Sequence, residues 1–472
     1  MSTDESSALQ PGTCHSVTIE KLTFGGAGLA HIDGIPVFIP GSIPGQKVEV
    51  VILKNKGRYY EAKIQSVTKK SIHQVVPKCK HADECGGCVW QQLPYDRQIA
   101  FKEDIVRETL EHLTPVDEEE RKKLPGRVLN IIPSPQVFNY RNKLELSFGY
   151  ESENNENPTI GFHQPGQWST VMPITECHLY NDQLQSLIAD VKRFMEQTKL
   201  PVYNPKTRKG ILRTLLLRQG VQTGEQMIAF IVNAKKKQLE PLFQHFMQFG
   251  GRTGLASLLV IEHLGLNEKP DHPKVHALVG KESITERLFD LTFEISPFSF
   301  FQTNTLGAEK LYQAIMTGGD LSMKDVVLDA YCGMGTIGQY LSRYCDRVVG
   351  IESHPSALND ALKSAGKNRI GNISFYKGRV EQVLSGQLKP GGKYKFSVVL
   401  LDPPRAGLHP KARDAVIAHK PEKIIYVSCN TATFARDLGF FLKNGYDLRS
   451  VQPVDMFPHT AHIETVGVLQ RK

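Results

Sequence analysis

The chain has 472 residues, 40% of them hydrophobic, and a net charge of +8; at about 150 residues per domain that length implies about three domains. No apolar run approaches the roughly 18 residues of a membrane span, and the polar start MSTDESSALQPG argues against a secretory leader, so the expectation is a cytoplasmic protein in a reducing compartment. The basic residues come in short groups such as Lys54–Arg58, Lys206–Lys209 and Lys235–Lys237, which suit either a phosphate backbone or plain solvent.

Residues Cys14 to Lys69 alternate short apolar stretches with Gly/Pro turns. Strands are predicted at 17–19, 35–39, 48–52 and 60–64, a spacing that suggests a small barrel. Gly25-Gly-Ala-Gly28 and Pro40-Gly-Ser-Ile-Pro-Gly45 read as turns. Leu22 to Ala30, Val37 to Gly41 and Gly45-Gln-Lys-Val48 resemble the TRAM domain, an OB-like RNA-binding barrel, over residues 10–69.

Cys79-x5-Cys85-Gly-Gly-Cys88 follows, and Cys177 offers a further sulfur. Clustered cysteines in a reducing compartment suggest metal before disulfides. Four thiolates suit zinc or an iron–sulfur cluster, and spacing alone does not choose. A helix is predicted next, with Ile99, Val106, Leu110 and Leu113 near a 3.6 period. Thr114 to Gly126 reads as a solvated connection. From Val128 to Arg287 the pattern mixes strands and helices, with strands expected at 140–149, 212–217 and 227–232.

From Leu288 onward strands alternate with helix-length segments: 325–330, 347–351, 373–376, 396–401 and 423–427. That alternation predicts an α/β, doubly wound, mostly parallel sheet, Rossmann-like. Val326-Val-Leu-Asp329 runs into Ala330-Tyr-Cys-Gly333-Met-Gly335-Thr-Ile-Gly338, and Glu352 ends the next strand. Glycines admit a cofactor close to the backbone, and a strand-end acid can hold both ribose hydroxyls. The literal Gly333-x-Gly335-x-x-Gly338 also matches the dinucleotide fingerprint. Against NAD, Asp329 suits a donor bearing an ammonium group, and a second acidic edge follows at Val398-Val-Leu-Leu-Asp402-Pro-Pro-Arg405. Such Asp-Pro-Pro loops sit beside the methyl group in base methyltransferases, so the reading is S-adenosylmethionine.

Ser428-Cys429-Asn430 ends the fifth strand, at the usual ligand crevice of a parallel sheet. Carbon 5 of uracil is a poor nucleophile. A thiolate adding to carbon 6 makes it an enolate that can attack a sulfonium methyl, and a base must then remove the carbon-5 proton. Glu464, in Met456-Phe-Pro-His-Thr-Ala-His462-Ile-Glu464-Thr-Val, is the first candidate for that base; His459 and His462 are rivals. Cys332 and Cys345 read as inert buried thiols.

Over nearly its whole length the chain resembles the RNA uracil-5-methyltransferase family, in its TRAM-bearing branch acting on 23S rRNA. The resemblance implies Cys429 as nucleophile and Glu464 as base. It implies donor contacts at Gln302 (from Phe301-Gln302-Thr-Asn304), Tyr331, Glu352 and Asp402. The Cys-Gly-Gly-Cys-x-x-Gln pattern through Gln91 implies a [4Fe–4S] cluster on Cys79, Cys85, Cys88 and Cys177. Two departures stand out: Arg379 lies where the family has Asp or Asn toward the adenine, and Thr336 replaces an Asn. The expected organisation is a TRAM barrel (10–69), a cluster-bearing central RNA-binding region (70–287) and a methyltransferase domain (288–472), acting as a monomer on RNA away from membranes. The competing expectations are an exocyclic-amine or transfer RNA methyltransferase, and a non-catalytic RNA-binding factor.

Overall fold

The computed structural model describes residues 9–152, 157–164, 166–167, 169–266 and 273–472. At the N-terminus, six strands form one sheet in the order Cys14–Thr18, Lys47–Asn55, Tyr60–Lys69, Ile35–Ile39, Gly28–Ile32, Lys21–Leu22. Alternate residues, among them Val37, Ile39, Val48 and Val50, close over a core of their own. The strands at 21–22 and 28–32 were not predicted, because their sequence reads as a glycine turn. Only Gly25 and Gly26, both at φ +88°, make that turn. Gly28 begins the next strand, where a Cβ would lie 2.1 Å from Ser42 Oγ.

A second sheet has seven strands, in the order Lys274–Gly280, Leu255–Glu262, Gln226–Val232, Leu212–Gln219, Lys143–Tyr150, Pro158–Phe162, Met172–Pro173. Helix Leu184–Thr198 covers one face through Leu187, Val191 and Phe194. The other face, with Leu216, Ala229 and Ile261, joins the core of the C-terminal sheet.

The C-terminal sheet has strands β1 (Val326–Ala330), β2 (Arg347–Glu352), β3 (Ile373–Lys377), β4 (Val398–Leu401), β5 (Lys423–Ser428), β6 (Tyr446–Val454) and β7 (Glu464–Arg471). Their order is 3-2-1-4-5-7-6. β1 to β5 run parallel, and β7 is antiparallel to both β5 and β6. Successive residues feed opposite faces. Val327, Val348 and Val398 pack toward helix Thr305–Gly319, and Leu328, Val349 and Val399 toward helices Pro410–Ala418 and Thr431–Lys443. β6 and β7 were not among the predicted strands.

The predicted helix spans Tyr95–Leu113, but its buried face is rotated from the one its apolar residues suggest. Gln98 and Lys102 are inside, together with Ile105, Val106, Thr109 and Leu110, while Leu113 is 51% exposed. This helix packs on helix Thr431–Lys443, and Val128 and Ile132 bridge to Val451 and Val454 of β6. Residues 89–132 therefore lie on the C-terminal sheet, although in sequence they belong to the middle region.

Among the described residues no helix is long and apolar enough to cross a membrane. Leu110 is fully buried in the shared core. Leu110→Ala is expected to destabilise the protein by about 2–5 kcal/mol, read from the urea midpoint. An unchanged midpoint would show that the helix is not part of that core.

Candidate active site

The sheet register brings the site together. Ala330 pairs with Ile351 and with Leu401, so Glu352, Tyr331 and Asp402 emerge side by side at the carboxyl edge. Ser428 pairs with Thr465 across β5 and β7. Cys429, just after Ser428, and Glu464, just before Thr465, thus leave adjacent strands at the same edge. The chain reverses direction across the sheet between β1 and β4, the place where open α/β sheets hold ligands.

Three acids crowd this edge. Asp329 is buried, and neither carboxylate oxygen has a hydrogen-bond partner in the described structure. Burial first, then the charges of Asp402 and Glu352, push it up to about 7. Burial likewise raises Asp402 to about 7. Glu352 accepts hydrogen bonds from the backbone N–H groups of Gly333 (3.0 Å) and His354 (2.6 Å), which fixes the loop after β1. In that loop Tyr331 takes φ +70°, a strained conformation for a non-glycine residue. A Cβ on Gly333 would meet nothing within 4 Å, so its backbone faces open space. Three clustered acids beside an open glycine loop, Asp329 among them without a partner, fit a ligand carrying positive charge. They would repel the pyrophosphate of a dinucleotide, so the residues fit S-adenosylmethionine, with its ammonium and sulfonium, and not NAD.

Cys429 is half-buried. Burial and the nearby Glu464 push its thiol up, and the Arg405 guanidinium beside it pulls it back. Glu464 is held well above the ordinary carboxylate range by burial and then by Asp402, again against Arg405. Arg405 is therefore the cation shared by both groups. It stands in the quoted Asp-Pro-Pro-Arg segment, yet sequence reasoning gave it no role. The Ser-Cys-Asn turn has a clear physical basis. Asn430 caps helix Thr431–Lys443 by accepting from Ala432 and Thr433 N–H, and its amide donates to the Arg405 carbonyl at 3.2 Å. Buried Asp437 steadies the same loop by accepting from Leu408 N (2.8 Å) and Tyr426 OH (2.7 Å).

Both rival bases are weakened by their surroundings. His459 is buried at φ +66°, stacked on Phe138 at 4.4 Å, with its Nδ1 against Gln98. Burial lowers it to about 4. His462, although its surface is exposed, is also lowered to about 4, by partial burial of its ring and then by Arg405. Gln302 lies half-buried, with its backbone carbonyl accepting from Asn142 Nδ2 at 2.7 Å. Asn304 caps the next helix and donates to the Met456 carbonyl at 3.0 Å. Thr336 meets Tyr312 OH at 2.6 Å, and Arg379 is exposed ahead of helix Val380–Ser385. Cys332 and Cys345 are buried thiols, as read from sequence.

Away from this edge, Cys79, Cys85, Cys88 and Cys177 line one cavity of about 330 Å³. Burial raises each thiol, that of Cys88 to about 12. Gln91 accepts from Cys79 N–H at 2.8 Å, which accounts for the glutamine in the cysteine pattern. Among the described residues no group of three or more His, Cys, Asp or Glu is arranged to hold a metal ion.

Fold and site together define an S-adenosylmethionine-dependent methyltransferase carrying an RNA-binding barrel. Residues 278–472 match the tRNA (Uracil-5-)-methyltransferase family model and residues 9–65 the TRAM domain. Relatives from Caldanaerobacter subterraneus and Clostridium acetobutylicum, each named as an RNA methyltransferase, are 35% and 36% identical. The alignments cover 98% and 96% of this chain and 99% and 97% of theirs. The crystal structure of Pyrococcus abyssi tRNA (uracil-54, C5)-methyltransferase with S-adenosyl-L-homocysteine is similar at TM-score 0.75 and 29% identity, over 96% of this chain and all of that one. The chain belongs to the RNA uracil-5-methyltransferase family.

An acid whose pKa is raised on folding binds its proton more tightly in the native state. Its contribution is most favourable below the unfolded value and declines as pH rises through the folded one. With Asp329 and Asp402 both near 7, the melting temperature of the ligand-free protein should fall from pH 5 to pH 8. Asp329→Asn should flatten that profile and weaken donor binding. A variant profile parallel to the wild type would refute the unpaired-acid account.

Proposed function

We propose that this chain methylates carbon 5 of a uridine in RNA, with Cys429 as nucleophile and Glu464 as base. The observation that carries the reading is the β5–β7 register, which sets that thiol and that carboxyl side by side. The Cys429 sulfur bonds to carbon 6, and the ring π electrons move to the carbon-4 oxygen. The methyl donor supplies an electrophilic methyl group on a sulfonium, and carbon 5 takes it. Glu464 then accepts the carbon-5 proton, the sulfur–carbon bond breaks, and the ring double bond returns. Arg405, next to both groups, favours the thiolate before addition and the carboxylate before proton removal. Gln302, Tyr331, Glu352 and Asp402 are assigned to the donor.

We assign 23S rRNA as the substrate, on the TRAM-bearing resemblance. A transfer RNA uridine is the second reading, favoured by the full-length likeness to a tRNA enzyme. A barrel and a separate middle region suit a folded RNA whose target base must be drawn out of its stack. The working assignment is a cytoplasmic monomer.

We also assign a [4Fe–4S] cluster to Cys79, Cys85, Cys88 and Cys177. In its favour, all four sulfurs border one cavity. A cluster carries bridging sulfides of its own and spreads its ligands wider than a single ion does. The choice of cluster over zinc rests on the resemblance carried by Cys85-Gly-Gly-Cys88-x-x-Gln91. Arg141, which draws the thiols of Cys85, Cys88 and Cys177 downward, would ease their ionisation on binding.

Cys429→Ala should abolish 5-methyluridine formation, and Glu464→Gln should leave methylated RNA joined to the protein through sulfur. Full activity of the cysteine variant would favour methylation of an exocyclic amine instead. Mapping 5-methyluridine in ribosomal and transfer RNA from cells with and without the gene decides the substrate, and no change in either RNA sinks the assignment. Protein purified without oxygen should be brown and absorb near 400 nm. A colourless, zinc-loaded protein would overturn the cluster.

A further inference from the structure

The loop between β6 and β7, residues 455–463, leads straight into Glu464. Val454 and Glu464 are register partners, so Asp455 and Ile463 stand at the two ends of the loop. Asp455 meets Lys102, more than three hundred residues earlier, and both side chains are 0% exposed. Lys102 Nζ donates to Asp455 Oδ1 at 2.7 Å and to the Phe457 carbonyl at 3.0 Å. Asp455 also accepts from Phe457 N–H (3.0 Å) and from Tyr95 OH (2.9 Å). The Trp90 ring lies 5.8 Å from the ammonium.

Stability is a weak reason for such a pair. Taking two charges out of water is costly, and apolar residues of similar volume often hold a core as well or better. What the pair adds is direction, because a buried network with its donors and acceptors satisfied rigidifies the segment that carries it. The nucleophile is held by other groups. Asn430, Ser428 and the loop fixed by Asp437 position Cys429, and none of their hydrogen bonds involves Lys102.

We propose that Lys102 and Asp455 are positioning residues for proton removal: they fix the hairpin loop that carries Glu464, so that release of the methylated product depends on them while thiol addition and methyl transfer do not. The proposal rests on Glu464 being the base.

Two RNA probes separate the steps. RNA containing 5-fluorouridine has no carbon-5 proton, so it stays attached after methyl transfer and reports addition and transfer alone. Ordinary RNA reports release as well. The full-length double variant Lys102→Met/Asp455→Leu leaves no lone buried charge. It should trap the fluorinated RNA within about twofold of the wild-type rate. On ordinary RNA it should accumulate the methylated adduct and release product about 10²-fold more slowly, the cost of a misplaced group. Equal slowing on both probes, or release at the wild-type rate, overturns the proposal. Glu464→Gln is run beside it; if that variant releases product normally, the base assignment itself has failed. Should the double variant not fold, Lys102→Arg keeps the charge on a longer stem. It should slow release and spare trapping, and the same two outcomes overturn the proposal.

Discussion

A lysine and an aspartate without solvent contact, Lys102 and Asp455, join the helix Tyr95–Leu113 to the hairpin loop in front of Glu464. That loop is where the separate parts of the chain meet. Trp90, next to the cysteine segment, donates its backbone N–H to the His459 carbonyl. Gln98 bonds His459 through both its backbone N–H and its ring. Tyr140, at the entrance to the second sheet, reaches the Pro458 carbonyl at 3.0 Å. Asn304, from the segment before the C-terminal sheet, holds Met456. An irregular backbone can be this buried only when its polar groups are satisfied, and here distant segments satisfy them.

The electrostatics of the edge divide into two zones. Around β1, β2 and β4 three acids cluster, and burial holds Asp329 and Asp402 near 7. Around β5 and β7 the charges of Cys429 and Glu464 oppose one another, and Arg405 acts on both. The first zone is stabilised by a positively charged ligand. The second favours having one of its two groups ionised at a time, as the proposed order of thiolate addition and then proton removal requires.

The barrel also reaches this region. Gly26 sits so close to the loop that a Cβ there would lie 2.6 Å from that of Ala461, and its carbonyl accepts from Trp90 Nε1 at 3.3 Å. Gln92 ties the cysteine segment to the barrel through the Gly41 carbonyl at 2.9 Å. The RNA-binding barrel, the cysteine segment and the loop before Glu464 therefore form one continuous body. Phe24, on the same glycine turn, is 48% exposed and offers an aromatic face at this junction.

Much of this was legible in the chain alone. Short apolar runs separated by helix-length segments marked the parallel strands β1 to β5, because strands covered on both faces read as continuous apolar runs. Strand-end residues announced Asp329, Glu352, Asp402 and Cys429, because a parallel sheet delivers the ends of its strands to one edge. Glu464 stood out by its apolar flanks, with His459 and His462 as rivals, although β7 was not recognised as a strand. What only the tertiary structure decided is which polar groups are inside. Gln98 and Lys102 look like the solvent face of a helix until their partners, hundreds of residues away, are brought to them. Arg405 becomes the shared cation only when β5 and β7 pair. Hydrophobic pattern is a local property and can be read in order along the chain; the partner of a buried charge is set by the fold, and no local pattern encodes it.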